Sequence, residues 1–205
     1  MPRGSAQLTN ARREEIINAC KQLYNTMSFK EITIKEIASY TSFTRPSIYN
    51  YFETKEEIFL AILQKEYELW VAEIESVINN NETMTGEQVA KALASSLENR
   101  ALLLKLMSMN HYDMEANSRM ERLVEFKKAY GASLTAVSRL VDKFCNDVDR
   151  SAFIYNFFPF IYGIYPYAVV TEKQKVAMEQ AGIDYQYHSI YELAYHCALK
   201  LLKNA

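Results

Sequence analysis

Apolar residues recur at helical spacing along most of the chain, and no stretch alternates as a strand would. Ile16, Cys20, Leu23 and Met27 fall 4, 3 and 4 apart on one face. That spacing predicts a first helix from about Thr9 or Asn10 to Thr26. Thr33 and Glu36 have the separation of a capping box, so a helix of two turns carrying Ile34, Ile37 and Ala38 is expected next. Thr44 is placed to cap a third start. Pro46 is tolerated in that helix's first turn, and Ile48 is the inward anchor of a helix expected over 45–51. Thr54 and Glu57 repeat the box and open a long helix through Ile58, Ile62 and Leu69 toward Ile78. After the Asn run at 79–81, Thr85 with Gln88 opens a helix that ends near Asn99. Further helices are expected at about 100–110, 118–144, 149–165, 172–180 and 185–203.

Composition supports an all-α fold. With 49% hydrophobic residues, five Gly and four Pro among 205, the chain can fill a core and has too few breakers to be loop-rich. The net charge of −2 excludes a protein that coats nucleic acid by bulk electrostatics, but its distribution changes the picture. Residues 1–55 hold 8 basic against 5 acidic side chains, net +3, which leaves 15 against 20, net −5, for the remainder. A basic end on an acidic body suits a site-specific DNA reader with a separate regulatory part. Two domains are therefore expected, 1–53 and 54–205.

Cys20, Cys145 and Cys197 match no metal or redox spacing and read as reduced thiols of a cytoplasmic protein. The first residues lack the apolar core of a signal peptide and read as a flexible arm. Residues 151–171 carry no charge, a length that can cross a bilayer. Pro159, Gly163, Pro166, Asn156 and four Tyr spread along the run argue against a membrane span.

The most specific signal lies between Thr33 and Lys55. Two short helices joined by a tight turn can set the second in the major groove while the first crosses the backbone. The stretch from Ser28 to Ala38, the core Ile48-Tyr49-Asn50-Tyr51-Phe52, and Thr54-Lys55-Glu56-Glu57-Ile58 together resemble the signature of TetR-family transcriptional regulators. The resemblance covers about residues 10–60 and holds at several fixed spacings at once. It implies an N-terminal three-helix DNA-binding domain with a helix-turn-helix, and a C-terminal helical domain for ligand binding and dimerisation. Arg45 and Ser47 then stand where base edges are reached, Arg being able to donate two hydrogen bonds to guanine. Pro46 offers apolar contact to a thymine methyl. Thr33, Thr44, Tyr49, Tyr51 and Lys55 are candidate phosphate contacts, and Asn50 is a candidate for base, phosphate or water. Capping alone also accounts for Thr33 and Thr44. Tyr49 and Tyr51 lie two apart and cannot share one buried face. Ser42 stands where the family usually has Gly and would bear strain if its φ were positive. Phe43 replaces a smaller aliphatic residue and should repack the turn.

In the second half, Tyr155, Phe158, Tyr162 and Tyr165 line one side of a helix, while Phe153, Phe157, Phe160, Ile161 and Ile164 line the other. A helix apolar all round should be buried all round. Pro159 is expected to kink it and free the carbonyl of Tyr155. The resemblance implies that such a helix lines a ligand pocket and joins a dimer interface, so Tyr155, Phe158, Tyr162, Tyr165, Met107, His111 and Tyr112 are candidates to enclose a small apolar or aromatic ligand. Met and aromatic residues at this spacing serve equally as packed core. The last helix carries the stripes Tyr187, Tyr191, Tyr195, Leu199 and Ile190, Ala194, Cys197, Leu201. A homodimer through an intersubunit four-helix bundle, reading a palindromic double-stranded operator, is the expected assembly.

His111, His188 and His196 form no i, i+3 or i+4 pair, so neither a metal nor a cofactor is expected. An enzyme using buried Tyr and His is the competing reading, but the chain has no nucleophile motif and no phosphate-binding Gly loop. The expected protein is a ligand-responsive repressor; an activator would carry the same motif.

Overall fold

The computed structural model describes residues 3–109 and 111–203, and every regular element among them is helical. Twelve helices follow in order: α1 (Arg3–Tyr24), α2 (Ile34–Ser39), α3 (Arg45–Ile48), α4 (Lys55–Asn80), α5 (Gly86–Glu98), α6 (Ala101–Met107), α7 (His111–Ala116), α8 (Met120–Phe144), α9 (Arg150–Gly163), α10 (Tyr165–Ala168), α11 (Glu172–Gln180) and α12 (Ile190–Lys203). Contacts divide the chain into two units. The first comprises Met1–Lys65 and Asn110–Lys128, the second Glu66–Met109 and Ala129–Ala205. The division falls inside α4 and inside α8, so both are shared covalently between the units.

In the first unit α1 buries Ile16, Ile17, Cys20, Leu23 and Tyr24, the face that its spacing predicted. Ile32, Ile37, Ile48 and Phe52 from the helix-turn-helix and Ile58 and Phe59 from α4 are fully buried in the same unit. Tyr24 and Phe29 both set their rings edge-on to Phe59, at 5.1 and 4.8 Å between centroids. α1 departs from expectation at both ends. It starts at Arg3 instead of near Thr9, and it stops at Tyr24. The expected flexible arm is therefore helical from Arg3 on, and its residues 1 and 2 lie outside the described residues. Residue 110, the expected end of a helix over 100–110, lies outside them too.

The second unit is filled by aromatic and aliphatic side chains. Trp70 is fully buried, and its indole N–H donates to Ser96 at 2.9 Å, which in turn donates to the Leu93 carbonyl at 2.8 Å. A buried indole pays little when its one donor is satisfied in this way. α12 packs along α5 through Ile190, Ala194, Ala198 and Leu202, spaced 4 apart, with alanines letting the axes approach. The capping box of Thr85 and Gln88 forms as expected, both hydrogen bonds being present. A second box, Thr171 with Gln174, opens α11.

Several expected features change. Leu69 is 48% exposed, and the buried stripe of α4 runs instead through Tyr67, Trp70, Ile74 and Ile78. The stretch after Met107 holds a separate short helix, α7, and the last helix opens at Ile190. α9 runs through Pro159 to Gly163. Its burial is one-sided: Phe153, Phe157, Phe158 and Ile161 are enclosed, while Tyr155 is 79% exposed and Phe160 is also exposed. A uniformly apolar helix has thus been only half covered within one chain. The uncharged run 151–171 is divided among helices, α9 ending at Gly163 and α10 covering Tyr165–Ala168, and no helix among the described residues is long and apolar enough to cross a membrane.

Candidate nucleic-acid interface

The helix-turn-helix is assembled by short-range capping and then locked by long-range polar contacts. Thr33 caps α2 by accepting from the Glu36 backbone N–H at 3.3 Å. The returning half of the expected box is absent, since Oε2 of Glu36 is buried without a partner. Thr44 sits at the N-cap of α3 but makes no side-chain cap; its hydroxyl lies 3.3 Å from that of Ser47. α3 is one turn long, Arg45–Ile48, and a turn carries the chain on to Tyr51. The expected helix over 45–51 is shorter because its second half is held by tertiary contacts.

Ile48 is fully buried and pins α3, so the residues around it are turned outward. Thr44, Arg45, Pro46, Tyr49 and Asn50 are exposed, and Ser47 and Tyr51 are half-buried. The Arg45 guanidinium donates to the Tyr49 hydroxyl at 3.2 Å and lies 5.9 Å from that ring. Tyr49 thereby steadies an extended cation that would otherwise sample many rotamers. Tyr51 packs its ring against Phe43 at 6.3 Å, and Arg12 covers Phe43 from α1 at 5.8 Å. The two tyrosines therefore face different ways, as their separation requires.

Among the described residues no side-chain-bearing residue has positive φ, so Ser42 bears no backbone strain. It acts differently. Its backbone N–H and its hydroxyl both donate to the Glu15 carboxylate, the hydroxyl at 3.1 Å, which ties the turn to α1. Lys55 is also engaged. Its ammonium donates to the carbonyls of Phe29 at 2.7 Å and Ile32 at 3.1 Å, and it stands 4.2 Å from the Phe29 ring centroid. One N–H remains for any further acceptor.

The glutamate expected to complete the box at Thr54 has a larger part. Thr54 accepts from the Glu57 backbone at 3.2 Å, but the Glu57 carboxylate turns to Arg119 and to the Glu53 N–H at 2.9 Å. Arg119 donates from Nε at 2.7 Å and from Nη2 at 2.8 Å, and its backbone N–H donates at 3.0 Å. Burial alone would raise the pKa of Glu57. The hydrogen bonds from Arg119 and Glu53 outweigh that and hold it below the ordinary glutamate value. Neither Arg119 nor Glu15 was legible as a functional residue, since one charge distant in sequence carries no spacing signal.

The candidate ligand residues are divided between the two units. Phe158 lies 5.9 Å from Trp70 and 6.1 Å from Tyr130 between ring centroids, and the Tyr162 hydroxyl lies 3.0 Å from that of Tyr67. These form one aromatic cluster in the second unit. Burial, and then Tyr162, push the Tyr67 phenol far above its ordinary pKa, so it stays neutral. Met107 is buried and Tyr165 half-buried, while Tyr155 stands at the surface. His111 and Tyr112 belong to the first unit, where His111 lies 6.4 Å from Phe126 and Tyr112 is 87% exposed. A separate hollow of about 340 Å³ is lined by Pro159, Phe160, Gly163, Ile164, Tyr167, Tyr185 and Leu193. The three cysteines are free thiols; burial pushes Cys20 up to about 12 and Cys197 up to about 11. Among the described residues no three His, Cys, Asp or Glu side chains are grouped to hold a metal.

Comparison with known proteins matches two family models in succession along the chain. The family model for bacterial regulatory proteins of the tetR family matches residues 16–62, and that for the tetracyclin repressor-like C-terminal domain matches residues 64–187. No match was found among curated proteins. A solved TetR/AcrR-family transcriptional regulator from Thermobifida fusca YX-ER1 is similar at a TM-score of 0.62 and 18% identity, over 94% of this chain and 97% of that one. The fatty acid degradation regulator FadR from Bacillus halodurans gives 0.60 and 16% over 94% and 98%. FadR from Bacillus subtilis, solved in complex with stearoyl-CoA, gives 0.60 and 14% over 94% and 98%. At these identities the likeness is one of fold.

Proposed function

Since the chain belongs to the TetR family of bacterial regulatory proteins, we propose that it is a sequence-specific repressor that works as a homodimer in the cytoplasm and leaves its operator when a small apolar molecule binds. The observation that carries this reading is the arrangement on α3. A fully buried Ile48 fixes the segment, and Arg45, Pro46, Tyr49 and Asn50 project from it into solvent. A one-turn helix so anchored has little to do for stability, and its outward residues are of the types that read DNA. In this reading Arg45, Pro46 and Ser47 meet base edges, Thr33, Thr44, Tyr49 and Tyr51 meet phosphates, and Asn50 meets either. Lys55 acts chiefly through the two carbonyls it holds, with its remaining N–H directed to a phosphate.

Replacing Arg45 by Ala is expected to cost about 1–3 kcal/mol at the cognate operator and to relax preference at one base pair per half-site. Titrating both proteins against cognate and scrambled duplexes decides it; equal binding of all four combinations rules out direct readout by Arg45.

The ligand reading rests on the second unit. Its core is aromatic with a few hydroxyls, a lining suited to an apolar molecule with one polar end. The likeness in fold to a regulator solved with stearoyl-CoA, and to one from Thermus thermophilus solved with lauroyl-CoA, favours a molecule with a long apolar chain. Binding would move the helices around Tyr67, Phe158 and Tyr162 and pass along α4 to the reading head. Coupling of this kind is a difference in ligand affinity between the DNA-competent and released states. Lauroyl-CoA and stearoyl-CoA added to the protein–operator complex are expected to release DNA, and a complex indifferent to both excludes that ligand class.

A further inference from the structure

The start of α8 belongs to the same compact unit as the helix-turn-helix, and it meets that motif through charge. Arg119 brackets Glu57 with three hydrogen bonds, and its guanidinium also reaches the Tyr51 carbonyl at 3.4 Å and the Glu53 carboxylate at 3.3 Å. Just before it, the Asn117 carbonyl accepts from the Thr54 hydroxyl at 2.8 Å. One turn further on, Arg122 lies 5.9 Å from the Phe52 ring, which Arg13 of α1 approaches at 5.6 Å. Both arginines bind Glu125, Arg122 at 2.8 Å and Arg13 at 3.1 Å. Apart from the Arg122–Glu125 bond within α8, these contacts fall on the stretch from Tyr51 to Glu57, which links the recognition segment to α4, or on α1. Glu57 itself is 0% exposed, so its charge has no water to fall back on.

We propose that the opening of α8 is a working part of the DNA-reading head, in which Arg119 is a positioning residue: by holding Glu57 and Tyr51 it sets the angle of the recognition segment. This rests on the DNA-reading role proposed above. It adds a second route for regulation, because α8 continues without interruption from this clamp into the second unit. A shift of α8 along its axis loosens the clamp directly, without having to bend α4. Arg is suited to the task, since its fork meets both carboxylate oxygens while a spare N–H reaches a carbonyl, which the point charge of Lys cannot imitate.

The test uses the full chain, a duplex selected by the wild-type protein from a random pool, and an unrelated duplex of equal length. In Arg119→Ala, amide exchange at Glu53, whose N–H is held by Glu57, is expected to quicken about tenfold. Affinity for the selected duplex should fall about tenfold. Affinity for the unrelated duplex and the dependence of binding on salt should stay as they are, because no phosphate contact is lost. Arg119→Lys should recover part of the affinity. If Arg119→Ala does not fold, Arg119→Lys and the paired neutral variant Glu57→Gln/Arg119→Met carry the same comparison. Equal loss on both duplexes with a shallower salt dependence overturns the assignment, because Arg119 would then be a phosphate contact. Unchanged affinity and exchange in a variant of a wild type that does select DNA also overturn it. A wild type that selects no duplex overturns the DNA-reading role and this assignment together.

Discussion

The two units of this chain are joined internally by different forces. In the first, an aliphatic core is supplemented by charged or polar side chains with defined partners on other segments: Ser42 on Glu15, Lys55 on the carbonyls of Phe29 and Ile32, Lys65 on Glu14, Arg119 on Glu57 and Arg13 on Glu125. In the second, ion pairs join α4 carboxylates to Arg100 and Arg139, but the interior is a continuous cluster of Tyr67, Trp70, Tyr130, Phe157 and Phe158. Hydrogen bonds to charged groups fix distance and angle, whereas apolar contacts fix mainly volume. In the proposed reading, a head that presents Arg45 at a set angle gains from the first kind. A body that admits a ligand, as proposed, gains from the second.

Substitutions can sharpen this contrast. The largest effect is expected from Trp70→Ala, which empties the centre of the second unit and removes the indole's bond to Ser96; it should cost about 3–5 kcal/mol in denaturant unfolding. A loss below about 1 kcal/mol would mean that the second unit is not built around this residue. Glu57→Gln should cost about 1–3 kcal/mol at neutral pH by weakening the bonds from Arg119 and Glu53. That cost depends on pH in a definite sense. Because the carboxyl pKa is lowered in the folded protein, its contribution is complete above the ordinary glutamate value and is lost as pH falls through the lower folded value. The gap in Tm between wild type and Glu57→Gln should therefore narrow in acid, and a gap constant with pH contradicts the clamp. The groups facing Glu57 are Arg119, the Glu53 backbone and the Thr54 cap, and Arg119 also pairs with the Glu53 carboxylate. Glu53→Gln as a background separates the two.

Smaller effects should distinguish the units further. Thr85→Ala removes a complete capping box from α5 and should cost about 1 kcal/mol. Tyr67→Phe removes one hydroxyl bond to Tyr162 at a cost of about 1 kcal/mol. If the aromatic cluster is a ligand site, Tyr67→Phe should change release from DNA more than it changes stability; an effect on stability alone marks the cluster as core.

What was legible from sequence follows the range of the interaction. Caps act over three residues, so Thr33, Thr85 and their helices stood out, and the tight spacing from Thr33 to Lys55 exposed the helix-turn-helix. Contacts across the fold leave no such trace. Arg119 and Glu57 are 62 residues apart, and nothing in either neighbourhood foretells the pairing. Leu69 misled because α4 has apolar residues on more than one side, and spacing alone does not choose among them. The length of α3 was overestimated for a related reason: helical propensity continues past Ile48, but packing of Tyr51 on Phe43 and Phe52 into the core ends the helix. The apolar faces of α9 misled in the opposite direction, since an apolar surface does not say which partner covers it. Tyr155 remains open in the single chain.

The central claim is that α3, fixed by Ile48 and steadied by Tyr49, reads a specific sequence. Selection of duplexes from a random pool by the purified wild-type protein, followed by the same selection with Arg45→Ala, tests it most directly. The account predicts an inverted repeat with half-sites about 10 base pairs apart or a multiple of that, and a variant that loses preference at one position of each half-site. Recovery of no common sequence by the wild type, or of the same sequence with the same preferences by the variant, would contradict it.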